Sequence, residues 1–179
     1  MKKVEVRICG LGGQGVVIAG QILGRAAVYS GKYAVQTQSY GAEARGGGAK
    51  SEVIIADGRI GFPVVRKCDV LVAMSQETMD KNVKDLKEDG ILFIDSSTVK
   101  EAPEIKARII KIPATETAEK SFGERLYANM IMLGALTKAT RIVSEEAMED
   151  AIRDSVPEKA ADTNVQTYKK GIELATSPD

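Results

Sequence analysis

The sequence predicts a three-layer α/β fold, a mostly parallel sheet with helices on its faces and a helical C-terminal part. Three observations carry that prediction. Strand-like and helix-like patterns alternate as far as residue 112, several strand segments are continuous apolar runs, and the chain beyond Pro113 reads as helix. Alternation of this kind builds parallel sheets, and a strand covered on both faces loses the in-out alternation of a half-exposed one.

Residues 4–9 (VEVRIC) read as the first strand. Residues 15–29 come next with helical periodicity and small residues at Ala19, Gly20 and Gly24, and 33–39 (YAVQTQS) return to strand, making a βαβ unit. Residues 51–56 (SEVIIA) form a strand closed by a turn at Asp57-Gly58, and 69–74 (DVLVAM) form another. A helix over 76–87 opens at Ser75 with Glu77 in its first turn, and 91–95 (ILFID) and 107–112 (ARIIKI) complete the strands. Pro113 stops the last of them. Helices are expected over 114–140, 144–154 and 157–174; Ser144 ahead of Glu145 and Glu146 marks one start and Pro157 the next. The Glu/Lys-rich segments 80–89 and 145–159 read as solvated helix faces. In the first strand Glu5 and Arg7 alternate with Val4, Val6 and Ile8, so one end of it is expected to meet water or another chain. The pattern as a whole is Rossmann-like, one domain over residues 1–176 with a frayed tail at 177–179, and such sheets bind ligands at the carboxyl ends of their strands.

Composition narrows the function. The 179 residues carry 25 basic and 25 acidic side chains, so no net charge draws the chain to nucleic acid or to an anionic membrane. Nowhere do about 18 apolar residues run in succession, and the N-terminus has too short an apolar run for a signal peptide, which predicts a cytoplasmic protein. There is no histidine, which removes the commonest general base and metal ligand together. Cys9 and Cys68 lie far apart, so neither a metal site, an iron–sulfur site nor a disulfide framework is encoded. Cys9 reads as a small buried residue, because nothing is present to activate it. Aromatic residues are 4% of the chain, too few for base-stacking platforms.

Two glycine-rich loops fall at the expected ligand-binding end. In "CGLGGQG", Gly10, Gly12 and Gly15 have the spacing of a dinucleotide fingerprint between a strand and a helix. That fingerprint also requires an acid about 20 positions on, at the end of the second strand, for the ribose hydroxyls. Gln36, Thr37 and Gln38 stand there instead, and Glu43 comes several residues later. The second loop, "QSYGAEARGGGAKSEV", sets Gly41, Gly46, Gly47 and Gly48 around Arg45, with Lys50 close behind. It presents backbone N–H groups and a guanidinium to an anion, or is an exposed loop with a solvated arginine.

GLGGQGVVIAGQILGRAA followed by QSYGAEARGGGAKSEVIIA resembles the gamma subunit of the 2-oxoacid:ferredoxin oxidoreductases. The segments Asp69-Val70-Leu71-Val72-Ala73 and Asn129 to Leu136, and the pattern Asn164, Tyr168, Gly171, extend the resemblance over nearly the whole chain. Ala42 departs from it, where the family usually has proline after Tyr-Gly. The resemblance implies a subunit with no complete active site and no tightly bound cofactor of its own. Thiamine diphosphate and iron–sulfur clusters are expected in alpha, beta and ferredoxin-like delta partners, ferredoxin is the acceptor, and the glycine loops contact those partners or the phosphates of coenzyme A. A short separate gamma chain points to the 2-oxoglutarate type; pyruvate, branched-chain and aryl 2-oxoacid versions, a stand-alone nicotinamide dehydrogenase and a free-standing coenzyme A or nucleotide-binding module stand as alternatives.

The site candidates are therefore Gly10, Gly12, Gly13, Gln14, Gly15, Arg45, Gly46 and Gly47, as cofactor-facing residues; none is assigned a catalytic or metal-binding role. Gln14 either reaches a ligand or supports its loop, Arg45 is an anion clamp or an interface anchor, and Asn129 caps or bridges locally. Met130 and Met132 read as members of a core or subunit-facing helix.

Overall fold

The computed structural model describes residues 2–41 and 47–176. Among them, six strands form one sheet: β1 (Lys3–Leu11), β2 (Tyr33–Tyr40), β3 (Gly48–Ala56), β4 (Cys68–Ala73), β5 (Leu86–Asp95) and β6 (Arg108–Ile112). The spatial order is β2-β3-β1-β4-β5-β6. Parallel ladders join β1 to β4, β4 to β5 and β5 to β6, whereas β3 runs antiparallel to both β1 and β2. Helix α1 (Val16–Tyr29) carries the chain from β1 to β2. The two strands do run the same way, as the βαβ pattern predicts, but β3 lies between them. Its direction is set by chain length, since a parallel crossover needs a dozen or more residues and the 41–47 connection is shorter.

The two faces of the sheet are covered unequally. Val6, Ile8, Val53, Ile55, Val70, Val72 and Phe93 point to one face and pack beneath α1, α4 (Ala128–Thr140), α5 (Glu145–Ser155) and α6 (Glu158–Thr176), against Ile22, Leu23, Met132, Leu136, Met148, Ile152 and Tyr168. Cys9, Ile54, Leu71, Ala73, Leu92 and Ile94 point to the other face. Its cover is thinner, consisting mainly of Met79 from the short α2 (Gln76–Asn82) with Val65 and Val99 from the connections between elements. Each fully buried aliphatic side chain in these layers contributes about 1.5–3 kcal/mol. Met130 and Met132 are 2% and 1% exposed, within the core of the thicker layer.

β1 is central and covered on both sides beyond its exposed first residue, Lys3, so the alternation of Glu5 and Arg7 does not mark the end that meets water. Glu5 and Arg7 are only 7% and 3% exposed. Both project to the thin face, where the Arg7 guanidinium donates to Glu52 at 2.8 Å, Asp85 at 2.7 Å and the Val65 carbonyl at 3.1 Å. Glu5 pairs with Lys3 at 3.2 Å. Buried charges persist when paired and hydrogen-bonded in this way.

The helix over 76–87 is shorter than its charge pattern predicts. α2 ends at Asn82, a 3-10 turn covers Val83–Asp85, and Leu86 already belongs to β5. Leu86 pairs with Cys68, and the ladder resumes only at Val70 and Ile91, so Lys87 to Gly90 bulge out of register. Asp85 and Lys87 are thus not part of a solvated helix face; they bind Arg7 and Asp69 at 2.7 Å each. The expected helix over 114–140 is also broken. α3 (Ala114–Phe122) ends on Gly123 in the left-handed conformation, and α4 starts at Ala128, a C-terminal glycine stop.

α4 and α6 cross at their glycines. A Cβ on Gly134 would lie 2.0 Å from the Tyr168 carbonyl oxygen, and one on Gly171 1.9 Å from that of Ile131. The C-terminal pattern Asn164, Tyr168, Gly171 is therefore a packing surface.

Candidate functional site

β1, β4 and β5 end together, and the chain leaves β1 toward one side of the sheet and β4 toward the other. This is the switch point at which α/β sheets open a crevice. A pocket of about 560 Å³ lies there, lined by Leu11 to Gln14 after β1, Met74 to Glu77 after β4, Thr98 and Thr115, and Arg125, Leu126 and Ala128.

The first glycine loop forms one wall. Gly10 closes β1 opposite Ala49, and Gly12 and Gly13 turn outward into the pocket. Gln14 turns back: its Oε1 accepts the Leu11 N–H at 2.6 Å and its Nε2 donates to the Met74 carbonyl at 2.8 Å. Its amide thus ties the end of β1 to the end of β4, so the loop-support reading describes its bonds while its stem still lines the pocket. Gly15 has φ +72, and a Cβ there would meet Asn129 Nδ2 at 2.3 Å. Asn129 donates to the Gly15 carbonyl at 3.2 Å and accepts the Met130 N–H at 2.8 Å, a bridge from α4 to the loop. α1 begins directly after, with no side chain capping its first turn. Its leading N–H groups and the positive end of its dipole therefore stay available to an anion.

The second loop meets the first. The Gly12 N–H donates to the Gly47 carbonyl at 2.9 Å, and Gly41 donates to Gly48 as the β2–β3 hairpin closes. Gly48 and Lys50 belong to β3 rather than to the loop. Arg45 and Gly46, and the departure at Ala42, lie outside the described residues, as does the tail at 177–179.

Sequence reading missed the opposite wall. Ser75, seen there only as a helix start, caps α2 by accepting the Thr78 N–H at 3.3 Å, and its hydroxyl lies 2.6 Å from that of Thr78. Asp95, fully buried at the end of β5, accepts the Thr115 hydroxyl at 2.5 Å and its N–H at 3.2 Å, which sets the start of α3 over the pocket. Thr98 donates to the Met74 carbonyl at 2.8 Å. The rule that ligands sit at strand carboxyl ends points to residues 74–77 and 96–98 from sequence alone. Arg125 carries no such signal; a 3-10 turn brings it to the pocket, where Glu119 holds its Nε at 3.3 Å.

Cys9 and Cys68 are both buried. Burial pushes their thiols up, to about 12 and about 11, so neither is a ready thiolate. Among the described residues, no three His, Cys, Asp or Glu side chains stand together as a metal-ligand group, and no helix is long and apolar enough to cross a membrane.

Residues 5–174 match the family described as pyruvate ferredoxin/flavodoxin oxidoreductase. The chain belongs to that family. Among its relatives, the 2-oxoglutarate synthase subunit KorC of Methanocaldococcus jannaschii is 50% identical over 174 residues, 96% of this chain and 93% of the relative. The solved structure of a keto/oxoacid ferredoxin oxidoreductase gamma subunit from Geobacter sulfurreducens superposes with a TM-score of 0.86 at 43% identity, covering 96% of this chain and 98% of that one. A 2-oxoglutarate:ferredoxin oxidoreductase from Magnetococcus marinus, solved with 2-oxoglutarate, coenzyme A and succinyl-CoA bound, shares the fold with a TM-score of 0.89 at 24% identity. This chain, covered in full, matches 32% of that longer one.

Proposed function

We propose that this chain is the gamma subunit of a 2-oxoglutarate:ferredoxin oxidoreductase, working in the cytoplasm with alpha, beta and ferredoxin-like delta partners. The assembled enzyme converts 2-oxoglutarate and coenzyme A to succinyl-CoA and carbon dioxide, with two electrons passing singly to ferredoxin. The observation that carries the reading is the junction of the two glycine loops, Gly12 to Gly47, at the strand ends of a chain half identical to a 2-oxoglutarate synthase subunit along nearly its full length.

The catalytic groups do not fit this chain. A cluster needs several accessible thiolates, and both cysteines are buried with raised thiols. Thiamine diphosphate supplies the carbanion chemistry in such enzymes, and it belongs with the clusters in the partners. A phosphate-bearing ligand such as coenzyme A does fit. Gly13 in the turn offers an N–H donor on one wall, with the uncapped start of α1 close behind it, and Arg125 offers a guanidinium on the other; the Gly12 N–H is already held by Gly47. In this reading Gly10 and Gly15 shape the loop, Gln14 locks it to β4, and Gly47 extends the surface toward the partners; Arg45 and Gly46 keep the anion- or partner-facing role that the sequence suggests for them.

Gentle lysis followed by affinity capture of this chain tests the proposal. Thiamine- and cluster-bearing chains should co-purify, and the preparation should reduce ferredoxin with 2-oxoglutarate and coenzyme A. A chain recovered alone overturns the subunit reading, and a complex that turns over only pyruvate or branched-chain 2-oxoacids overturns the substrate.

A further inference from the structure

The connection between β3 and β4 turns apolar side chains to water. Gly61, Phe62, Pro63 and Val64 are all exposed, Phe62 to 61% and Val64 to 47%. Pro63 lacks an N–H and sets Phe62 extended, which keeps the segment out of a helix. Val65, 4% exposed, anchors it on the thin face of the sheet. A contiguous apolar surface rimmed by polar groups marks a contact site.

The rim is cationic. A groove of about 340 Å³ beside Phe62 and Val64 is lined by Lys3, Glu5, Arg66, Lys67 and Lys87. A second groove, of about 750 Å³, continues from Lys67 and Lys87 to Lys84 and Lys106, with Glu88 and Glu104. Six cations therefore face three carboxylates, on a chain whose charges balance overall. Most of the carboxylates at hand are committed: Glu5 to Lys3 at 3.2 Å, Glu88 to Lys106 at 3.1 Å and, behind the grooves, Asp69 to Lys87 and Asp85 to Arg7 at 2.7 Å each. Among the described residues Arg66, Lys67 and Lys84 form no ion pair, and Glu104 is the one groove carboxylate in the same state. The cations are nonetheless held in place. The Arg66 guanidinium stands 5.7 Å from the centre of the Phe62 ring, and the Lys67 ammonium donates to the Lys84 carbonyl at 2.5 Å. An aromatic ring with an arginine over it is the composition of an interface centre.

We propose that this face docks an acidic protein surface, whose carboxylates meet Arg66, Lys67 and Lys84 around an apolar anchor on Phe62 and Val64. Charge complementarity selects the occupant. A second copy in an isologous contact would bring two cationic rims together, and a single ring gives no track on which nucleic-acid bases stack. The face lies at the amino ends of β1 and β4, whereas the glycine loops lie at the carboxyl end of β1, roughly 25 Å along its nine residues. The chain thus has two separate working ends, and the inference does not rest on the enzyme reading.

The chain has no tryptophan, so Phe62→Trp places a single reporter in the patch. Titrated with the peptide acetyl-Glu-Asp-Glu-Leu-Phe-Glu-Asp-Glu-amide, the full chain should show a saturable blue shift of its emission, with affinity falling about tenfold between low salt and about 0.5 M. Arg66→Glu combined with Lys67→Glu should weaken binding by about tenfold or more, with the circular dichroism spectrum unchanged. The proposal is overturned by the absence of a saturable shift. It is overturned equally if a peptide with lysine at every acidic position, or with glycine in place of Leu-Phe, binds as tightly. Tighter binding to phosphatidylserine vesicles overturns it in favour of a membrane surface. In the assembled complex, p-benzoylphenylalanine at position 62 should cross-link to an acidic segment of a different chain; no cross-link, or one to a second copy or to a basic segment, overturns it as well.

Discussion

Gln14 and Gly15 show how much of the site rests on single residues. The Gln14 amide bonds Leu11 N–H and Met74 C=O together, so Gln14→Ala leaves the Leu11 N–H without a partner and the Met74 carbonyl with the Thr98 hydroxyl alone. A loss of about 1–3 kcal/mol is expected, measured by urea denaturation. Gln14→Glu keeps the acceptor for Leu11 but, when ionised, turns a second acceptor oxygen on the Met74 carbonyl; protonation restores an O–H donor, so its deficit relative to the wild type should shrink as pH falls below the carboxyl's pKa. At Gly15 two costs combine, the left-handed φ and the approach to Asn129. Gly15→Ala should cost about 1–3 kcal/mol, and Asn129→Ala should recover part of it by removing the clash; calorimetric melting of the single and double variants checks this. The glycine spacing was legible as a tight strand-to-helix turn. Asn129, more than a hundred residues away, was not, because its reach to Gly15 depends on where α4 packs.

β1 and its charged partners belong to the scale of elements. The strand's polar alternation was legible, and its meaning was not. Alternation marks a half-exposed strand only when the second face is wet, and here that face carries its own charges from β3, β5 and the turn before it. Removing Arg7 leaves Glu52 and Asp85 without their buried cation, so Arg7→Met should cost about 3–5 kcal/mol, and adding Glu52→Met to it should return part of that loss. Burial pushes the Asp85 carboxyl up, but the hydrogen bond and charge of Arg7 outweigh it and hold it below the usual carboxylate range. A carboxyl with a lower pKa folded than unfolded stabilises fully above its unfolded value, near 4, and the contribution fades as pH falls through the folded one. Asp85→Asn should therefore be less stable than the wild type at pH 7, and the gap between their urea midpoints should close as pH falls from about 4 toward 3. Helix boundaries obeyed the same logic. Gly123 was a readable stop inside the expected 114–140 helix, whereas the β5 bulge from Lys87 to Gly90 had no local signal, since it exists to carry Lys87 to Asp69 and to fit Gly90 against the Asp69 carbonyl.

At the scale of the whole molecule the sheet order decides the ligand question. In a dinucleotide fold the strand after the glycine loop's helix lies beside the first, and its end supplies the ribose-binding acid. Here β3 separates them, so the end of β2 is two strand spacings from β1, roughly 10 Å. Titration of the pure chain with NADH should show no saturable change in nucleotide fluorescence; a saturable one with micromolar affinity would contradict the topology. The α4–α6 crossing is the other global constraint. Gly134→Val should force the helices apart and lower stability by more than the roughly 1–3 kcal/mol usual for overpacking, because the atom it meets is backbone.

By itself the sequence determined the fold class, the order of nearly all elements, both glycine loops and the end of the sheet on which they lie. These depend on periodicity, turn residues and chain direction, which are local. Tertiary structure alone decided that β3 inserts between β1 and β2, that Glu5 and Arg7 are internal, and that Ser75, Thr98, Thr115 and Arg125 complete the pocket opposite the first loop. Each of those depends on contacts between residues distant in the chain, and no local pattern encodes where a distant partner comes to rest.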